Sequence, residues 1–478
     1  MSKFIILLFF FFPLALFSQE CDCESNFNWV KKTFEENDAG FSYVIQRKGK
    51  QAYESHNELF YQKIKNITNH AECEEALKGW LAFFRSGHIG IRRLNNSAGK
   101  KLSNKEIIEL YKDSENIDVD LKDFTKYLES KKDVDYEGIW LSGSYKIGIK
   151  KVDNNYLGFI IEGDGSYWTK GQIKLIINAD NSSVYYMRDH SKKTFANTEL
   201  LDNNGIQAGR ITLKRVAPSF DNNPNLDQYF KSTSAKKPYF ESLNNKTTYL
   251  RIPTFSGTEK KHIDSVILAN KELILKTPNL IIDIRYNGGG SDRSFKELLP
   301  ILYTNPIRMV GLEFLSTPLN NKRMLDFINE PKYEFDDEGK KWAQESYDKL
   351  SKHLGEFVDL NSVDVDITEY DTIYPYPQNI AIVINESNGS TSEQFLLAAK
   401  QSKKVKLYGT TTAGVLDISN MYGVELPSGD FKLGYCLSKS NRIPEMTIDD
   451  KGIQPDFYLD KSIPKYEWVE FVVKSLNE

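Results

Sequence analysis

The stretch from Leu280 to Leu302, LIIDIRYNGGGSDRSFKELLPIL, constrains this chain more than any other. A short apolar, β-rich run (Leu280, Ile281, Ile282, Asp283, Ile284) stops at Arg285, and three glycines follow at 288–290. Ser291 and Asp292 then stand where they can cap a helix whose apolar face begins at Phe295. A strand, a permissive turn and a helix N-terminus in that order make a cradle for developing negative charge. Phosphate-binding loops share the outline but need a lysine at a fixed place, and here no lysine follows the glycines until Lys296. The stretch by itself predicts an anion or oxyanion site.

A second stretch gives it meaning. Ile380 to Ile384 (IAIVI) reads as another buried strand, followed by Asn385-Glu386-Ser387-Asn388-Gly389-Ser390-Thr391-Ser392-Glu393 and the helix-like run Gln394 to Lys400. Hydroxyls thus sit at a junction of strand and helix, where a nucleophile can be exposed beside backbone N–H groups. Strand Val405 to Tyr408 and the turn GTTTAG (409–414) come next.

In this order, YLRIPTFSG (249–257), LIIDIRYNGGG (280–290), the Ser-x-x-Glu of Ser390 to Glu393, GTTTAG and the closing Gly452-Ile453-Gln454-Pro455-Asp456 resemble the S41 family of serine peptidases, which includes tail-specific and tricorn-like proteases. The resemblance covers about residues 240–305 and 378–460. It implies a crotonase-like α/β core of ββα type, carrying here an N-terminal helical region and an inserted small antiparallel β domain. It also implies that Ser390 is the nucleophile, three residues before Glu393. Ser387 and Ser392 are rivals, though hydroxyls at helix starts are commonly caps. The backbone N–H groups of Thr391, Gly288 and Gly289 are the expected oxyanion donors.

Tail-specific proteases pair serine with a lysine directly after the Gly-x-x-Thr-x-Gly turn. That position is Val415, which cannot act as a base. Lys403, Lys404 and Lys406 precede the turn and read as helix-end and strand-surface charges. Tricorn-like members instead use a histidine well before the core and an acid shortly before the Gly-x-x-Pro-Asp stretch. Of six histidines, only His88 lies in a Gly-flanked loop entering a strand, Arg85-Ser86-Gly87-His88-Ile89-Gly90. An ordinary surface histidine is the commoner meaning of such a residue. The resemblance carries His88 over as the base, puts Ser86 close to it, and makes Asp449 the acid that holds the imidazole, with Asp450 as fallback. The family pattern has Glu where this chain has Asp449.

The rest of the chain frames this core. Met1-Ser2-Lys3 followed by the apolar Phe4 to Phe17 reads as a signal peptide (1–18), since roughly 20 residues are needed to cross a bilayer. Export to the periplasm or beyond is expected, and no later stretch could span a membrane. Cys21 invites a lipid anchor, but Ser18-Gln19-Glu20 before it lacks the small residues that such a signal wants. Export permits a disulfide from Cys21 or Cys23 to Cys73. Cys21, Cys23 and one nearby cysteine make a poor zinc set.

Residues 19–130 form the helical region bearing the His88 loop. Residues 135–217 turn to short runs broken by Asn, Asp and Gly, as in a small β-barrel or sandwich. No carboxylate-binding loop of the PDZ domain found in many relatives is visible there. The core occupies 235–305 and 378–464, and 306–377 is an insertion. Its Asp364, Asp366 and Asp371 lack the central glycine and closing glutamate of a calcium loop. A net charge of −4 gives no reason to expect nucleic acid as a partner. The expected activity is hydrolysis of extended polypeptides through an acyl-enzyme, without metal or organic cofactor. A catalytically silent binding module for a peptide or apolar ligand, and an esterase using the same triad, are the alternatives. Oligomeric state is not legible.

Overall fold

The computed structural model describes residues 21–94, 103–333, 335–361 and 363–478, so the expected signal peptide lies outside the described residues. The described parts of 1–98, 310–366 and 415–450 form one compact unit, and those of 99–309, 367–414 and 451–478 a second.

In the first unit, Phe27, Val30 and Phe34 recur along one face of the helix Cys23–Asn37 and are buried. The helix starts at Asp22, whose carboxylate accepts the Ser25 N–H, while Asn69 caps His70–Leu81 in the same way. A disulfide between Cys23 and Cys73 joins these two helices. Helices Phe41–Lys48 and Lys50–Ile64 complete the layer. Their apolar faces, with Trp80 and Phe84, share a core with Phe431, Leu433, Tyr435 and Leu437 of the long strand Phe431–Ser440. That strand pairs antiparallel with Ile418–Glu425 along one edge and with Gly90–Arg93 and Leu312–Leu315 along the other. Met324, Leu350 and Val358 gather a small satellite core under helices Lys322–Asn329 and Asp337–Ser351.

The second unit holds two sheets. One is a nine-stranded antiparallel sheet over residues 138–217, whose buried side chains include Trp140, Ile147, Ile160, Leu175 and Leu213. It is a single continuous sheet. The other has six strands in the order Tyr239–Ser242, Thr247–Arg251, Asn279–Asp283, Asn379–Ile384, Val405–Gly409, Phe457–Tyr458, parallel except for its first hairpin. Its middle strands read as continuous apolar runs because both faces are covered. Tyr249, Ile281, Val383 and Tyr408 pack on the C-terminal helix Trp468–Asn477. Aromatic contacts join Phe255, Phe295 and Phe395, which come from a loop and the two helical segments that follow the glycines and Ser390.

The helix expected after the glycines differs from expectation. Asp292–Leu298 is a 3-10 helix, continued by only one α-turn, Leu299–Leu302, and the Ser291 side chain makes no cap bond. Pro300 has no N–H with which to reach back to the Lys296 carbonyl, so an α-helical ladder cannot run through this segment.

Candidate active site

Two adjacent parallel strands of the six-stranded sheet, Asn279–Asp283 and Asn379–Ile384, deliver two turns to the same end of the sheet, and buried asparagines sew the turns together. Asn388 Nδ2 donates to the carbonyls of Ile284 (2.5 Å) and Asn287 (3.0 Å), and its Oδ1 accepts the Asn385 N–H (2.7 Å). Asn287 Oδ1 accepts the N–H groups of Gly289 (3.0 Å) and Phe255 (3.2 Å), and Ser392 Oγ donates to the Asn287 carbonyl (2.8 Å). Ser392 is therefore a buried fastening rather than a rival nucleophile.

Ser390 occupies the first position before the helix Thr391–Ala399 with φ 57° and ψ −127°, a backbone state that side chains other than glycine rarely adopt. Its hydroxyl makes no cap bond. The backbone of Gly289 lies so close that a Cβ there would meet Gly389 O at 2.7 Å and Ser390 Cβ and Thr391 N at 2.8 Å. Gly289 also has φ +102°. Because the Gly289 N–H is already given to Asn287, that group differs from the expected oxyanion donor, and the contribution of Gly289 is close approach. Thr391 is held by its own hydroxyl, which donates to Asp292 Oδ1 (2.8 Å).

Glu393, fully buried one turn into the helix, accepts Thr412 Oγ1 (2.5 Å) and the Gly414 N–H (2.7 Å), which fastens the 409–414 turn beneath Ser390. The Ser-x-x-Glu spacing thus joins a half-buried serine outside any cap bond to a fully buried structural carboxylate. Lys404 Nζ donates to the Tyr374 carbonyl and is half-buried, which lowers its pKa from the ordinary lysine value, so it differs from the surface charge expected.

Behind the glycines, Asp283, Arg285, Arg251 and Tyr249 form a buried charged cluster. Arg285 Nη2 and Tyr249 Oη reach Asp283 Oδ2 at 2.6 and 2.7 Å. Burial alone would raise the Asp283 carboxyl, but the two guanidinium groups outweigh it and hold it at about 2.

His88, Ser86, Asp449 and Asp450 belong to the first unit, and Ser390, Thr391, Gly288 and Gly289 to the second. His88 has φ 52°, and its Nδ1 lies 2.8 Å from the Ile418 carbonyl. A carbonyl only accepts, so Nδ1 carries the proton and Nε2 presents its lone pair, the tautomer that a general base needs. The loop is rigidly held. Arg85 forks onto Asp38 (2.8 and 2.6 Å) and donates to the His88 carbonyl (2.8 Å), which also receives the Cys436 thiol (3.2 Å). A Cβ on Gly87 would strike Val415 at 2.6 Å. Burial, and secondarily the Arg85 charge, push the His88 imidazole below its ordinary value of 6.5, against the opposing effect of the Ile418 bond.

The expected pairing of Asp449 with the imidazole is replaced by another arrangement. The Asp449 carboxylate accepts the N–H groups of Leu416 (2.6 Å), Asp417 (2.7 Å) and Ile418 (3.2 Å), and Asp417 returns the bond to the N–H groups of Ile448 (2.6 Å) and Asp449 (2.9 Å). The shorter aspartate reaches the backbone that carries the Ile418 carbonyl, and this carbonyl meets the ring. Ser86 Oγ donates to Asp450 Oδ1 (3.3 Å), and Asp450 pairs with Arg47 (2.9 Å). The sequence reading missed Asn287, Asn388 and Asp417. Each was visible as a polar residue beside a turn, but nothing in residue type marks which turn amide is buried.

The model of peptidase family S41 matches residues 246–459. No curated protein sequence matches the chain. Among solved structures, mature CPAF complexed with lactacystin is similar at 14% identity and a TM-score of 0.53, over 95% of this chain and 97% of that one. Mature CPAF alone is similar at 13% identity and a TM-score of 0.52, over 95% and 96%. At such identity the likeness is one of fold.

Proposed function

Since the chain belongs to peptidase family S41 through residues 246–459 and is a serine-type peptidase, we propose that it is an exported endopeptidase that cleaves extended polypeptides through an acyl-enzyme on Ser390. The observation that carries the reading is Ser390 itself, held at φ 57° at the junction of strand and helix with its hydroxyl outside any cap. On this reading the crotonase-like core is 235–305 with 378–464, interrupted by 306–377, and 135–217 is a separate β module.

In acylation, His88 Nε2 takes the proton from Ser390 Oγ as the oxygen attacks the scissile carbonyl carbon. The N–H groups of Thr391 and Gly288 receive the developing oxyanion, with Gly289 leaving room for both turns to approach. When the C–N bond breaks, His88 returns the proton to the leaving amine. Water then attacks the ester by the reverse sequence, and Ser390 regains its proton. Asp449 serves as a positioning residue, clamping the backbone whose Ile418 carbonyl fixes the imidazole tautomer. Ser86, bonded to Asp450, stays outside the proton path.

The disulfide Cys23–Cys73 supports export through the segment 1–18, since such bonds persist in oxidising compartments. No helix among the described residues is long and apolar enough to cross a membrane.

A fluorophosphonate probe tests the site. Wild type should label, and Ser390→Ala and His88→Ala should each lose labelling and peptide hydrolysis by on the order of 10⁴-fold. Labelling that survives Ser390→Ala would assign the wrong serine. An unlabelled wild type, under conditions where a control protease reacts, would favour a binding module.

A further inference from the structure

The disulfide consumes Cys23 and Cys73 and leaves Cys21 as a thiol that is 2% exposed. That thiol has company of a particular kind. One ligand atom each from Cys21, His70 and Asp430 lies within 4.8 Å of the others, and His70 Nε2 is 3.1 Å from Asp430 Oδ1. Among the described residues no other three side chains of His, Cys, Asp or Glu gather in this way. The three come from a position two residues before one helix, the first residue of another, and the turn between strands Ile418–Glu425 and Phe431–Ser440.

A second layer is already in place. Asn26, itself buried, turns its amide nitrogen toward Cys21 Sγ (3.8 Å) and Asp430 Oδ2 (3.5 Å). Its orientation is set by Ser428, whose hydroxyl donates to Asn26 Oδ1 (2.8 Å). An N–H aimed at sulfur and another at the free carboxylate oxygen are what metal-bound thiolates and carboxylates use to fix their geometry. The Cys21 N–H is tied to the Thr68 carbonyl at 2.9 Å, so the cysteine is held from both backbone and side chain.

We propose that Cys21, His70 and Asp430 bind one zinc ion, which staples helices Cys23–Asn37 and His70–Leu81 to the strand turn at 426–430. Thiolate, imidazole and carboxylate together suit zinc, a borderline-soft ion that takes all three, better than the hard ions calcium or magnesium. Tetrahedral zinc holds such ligands about 3.3–3.6 Å apart, so side-chain rotations of roughly 1 Å close the site. On binding, the Cys21 S–H proton leaves to solvent and a Zn–S bond forms, His70 ligates as the neutral ring, and the fourth position is open to water. The zinc changes no oxidation state. Zinc ligation and a thioether-linked lipid on the same Cys21 sulfur exclude one another.

The test is metal binding by the mature chain, purified, treated with chelator and titrated with Zn²⁺ against a chromophoric competitor, then with Co²⁺. One equivalent per chain is expected, with a thiolate-to-Co²⁺ charge-transfer band in the near ultraviolet. Cys21→Ser should abolish the band, and His70→Gln and Asp430→Asn should each weaken zinc at least tenfold. Asn26→Ala, which touches no metal, should weaken it roughly 10–100-fold. Circular dichroism of each variant in chelator should match metal-free wild type, which separates lost ligation from lost folding. Four results would each overturn the site: no stoichiometric metal in wild type, a Co²⁺ complex lacking the thiolate band, Cys21→Ser binding zinc as tightly as wild type, or a lipid on Cys21 in the mass spectrum.

Discussion

His88 shows how much of the chemistry is decided by single atoms. Its Nδ1 faces a carbonyl, which fixes one tautomer, and burial beside Arg85 disfavours the imidazolium. Both effects keep Nε2 unprotonated near neutrality. The sign for activity follows directly. A base is lost when it is protonated, so with His88 in its proposed role the acid limb of kcat/KM falls through the His88 pKa, and a lowered pKa moves that limb to lower pH. The midpoint should therefore lie below 6.5, the ordinary histidine value, when kcat/KM for a peptide substrate is followed against pH. A midpoint above that value would mean that a different group, or an imidazole stabilised as its cation, limits the reaction. Ser390 and His88 could be put forward from the sequence because their residue types are chemical, and they stand here as the proposed nucleophile and base. The partner of the imidazole was not, because the Ile418 carbonyl is backbone, and every residue has one. Asp449 looked like an orienter from its place before Gly452, and the fold spends it on three N–H groups instead.

At the scale of elements, the strands of the core were legible and the pieces that join them were less so. Runs such as Leu280–Ile284 and Ile380–Ile384 announce buried parallel strands by unbroken apolarity, and the strands Asn279–Asp283 and Asn379–Ile384 match them closely. After the glycines, capping residues suggested an α-helix, while a proline nine positions on from Ser291 imposed tighter turns. What joins the two site turns is Asn388, whose amide satisfies two carbonyls and one N–H in a dry setting. Asn388→Ala removes all three bonds and leaves buried groups unpaired, at about 1–3 kcal/mol for each group that water cannot reach. A loss of roughly 3 kcal/mol is expected from denaturant unfolding, together with slower phosphonate labelling of Ser390, because the turn that presents it loses its tether. Full stability in this variant would show that water replaces the amide.

For the whole molecule, the chain's order conceals which parts fold together. Sequence punctuation separated a helical N-terminal region from an insertion at 306–377, yet the described residues of 21–94, 310–366 and 415–450 share one compact unit, because strand partners far apart in sequence carry no local mark of each other. The two units are held by different chemistry, and that difference can be measured. In one, the Asp283 carboxyl is kept at about 2 by Arg285 and Arg251. A depressed folded pKa gives stability that is complete above the unfolded value near 4 and drains away as pH falls toward 2, worth roughly 2 kcal/mol for this group. In the other, Cys23–Cys73 closes a loop of 50 residues, and reducing it releases about 4 kcal/mol of chain entropy to the unfolded state. Hydrogen exchange followed by mass spectrometry should therefore separate two responses. Lowering the pH from 5 to 3, with rates corrected for intrinsic exchange, should reduce protection first in strands Thr247–Arg251 and Asn279–Asp283. Adding a reductant at neutral pH should reduce it first in helices Cys23–Asn37 and His70–Leu81. If both treatments open the same peptides together, the chain unfolds as one cooperative body and the local chemistry of neither cluster sets the order of opening.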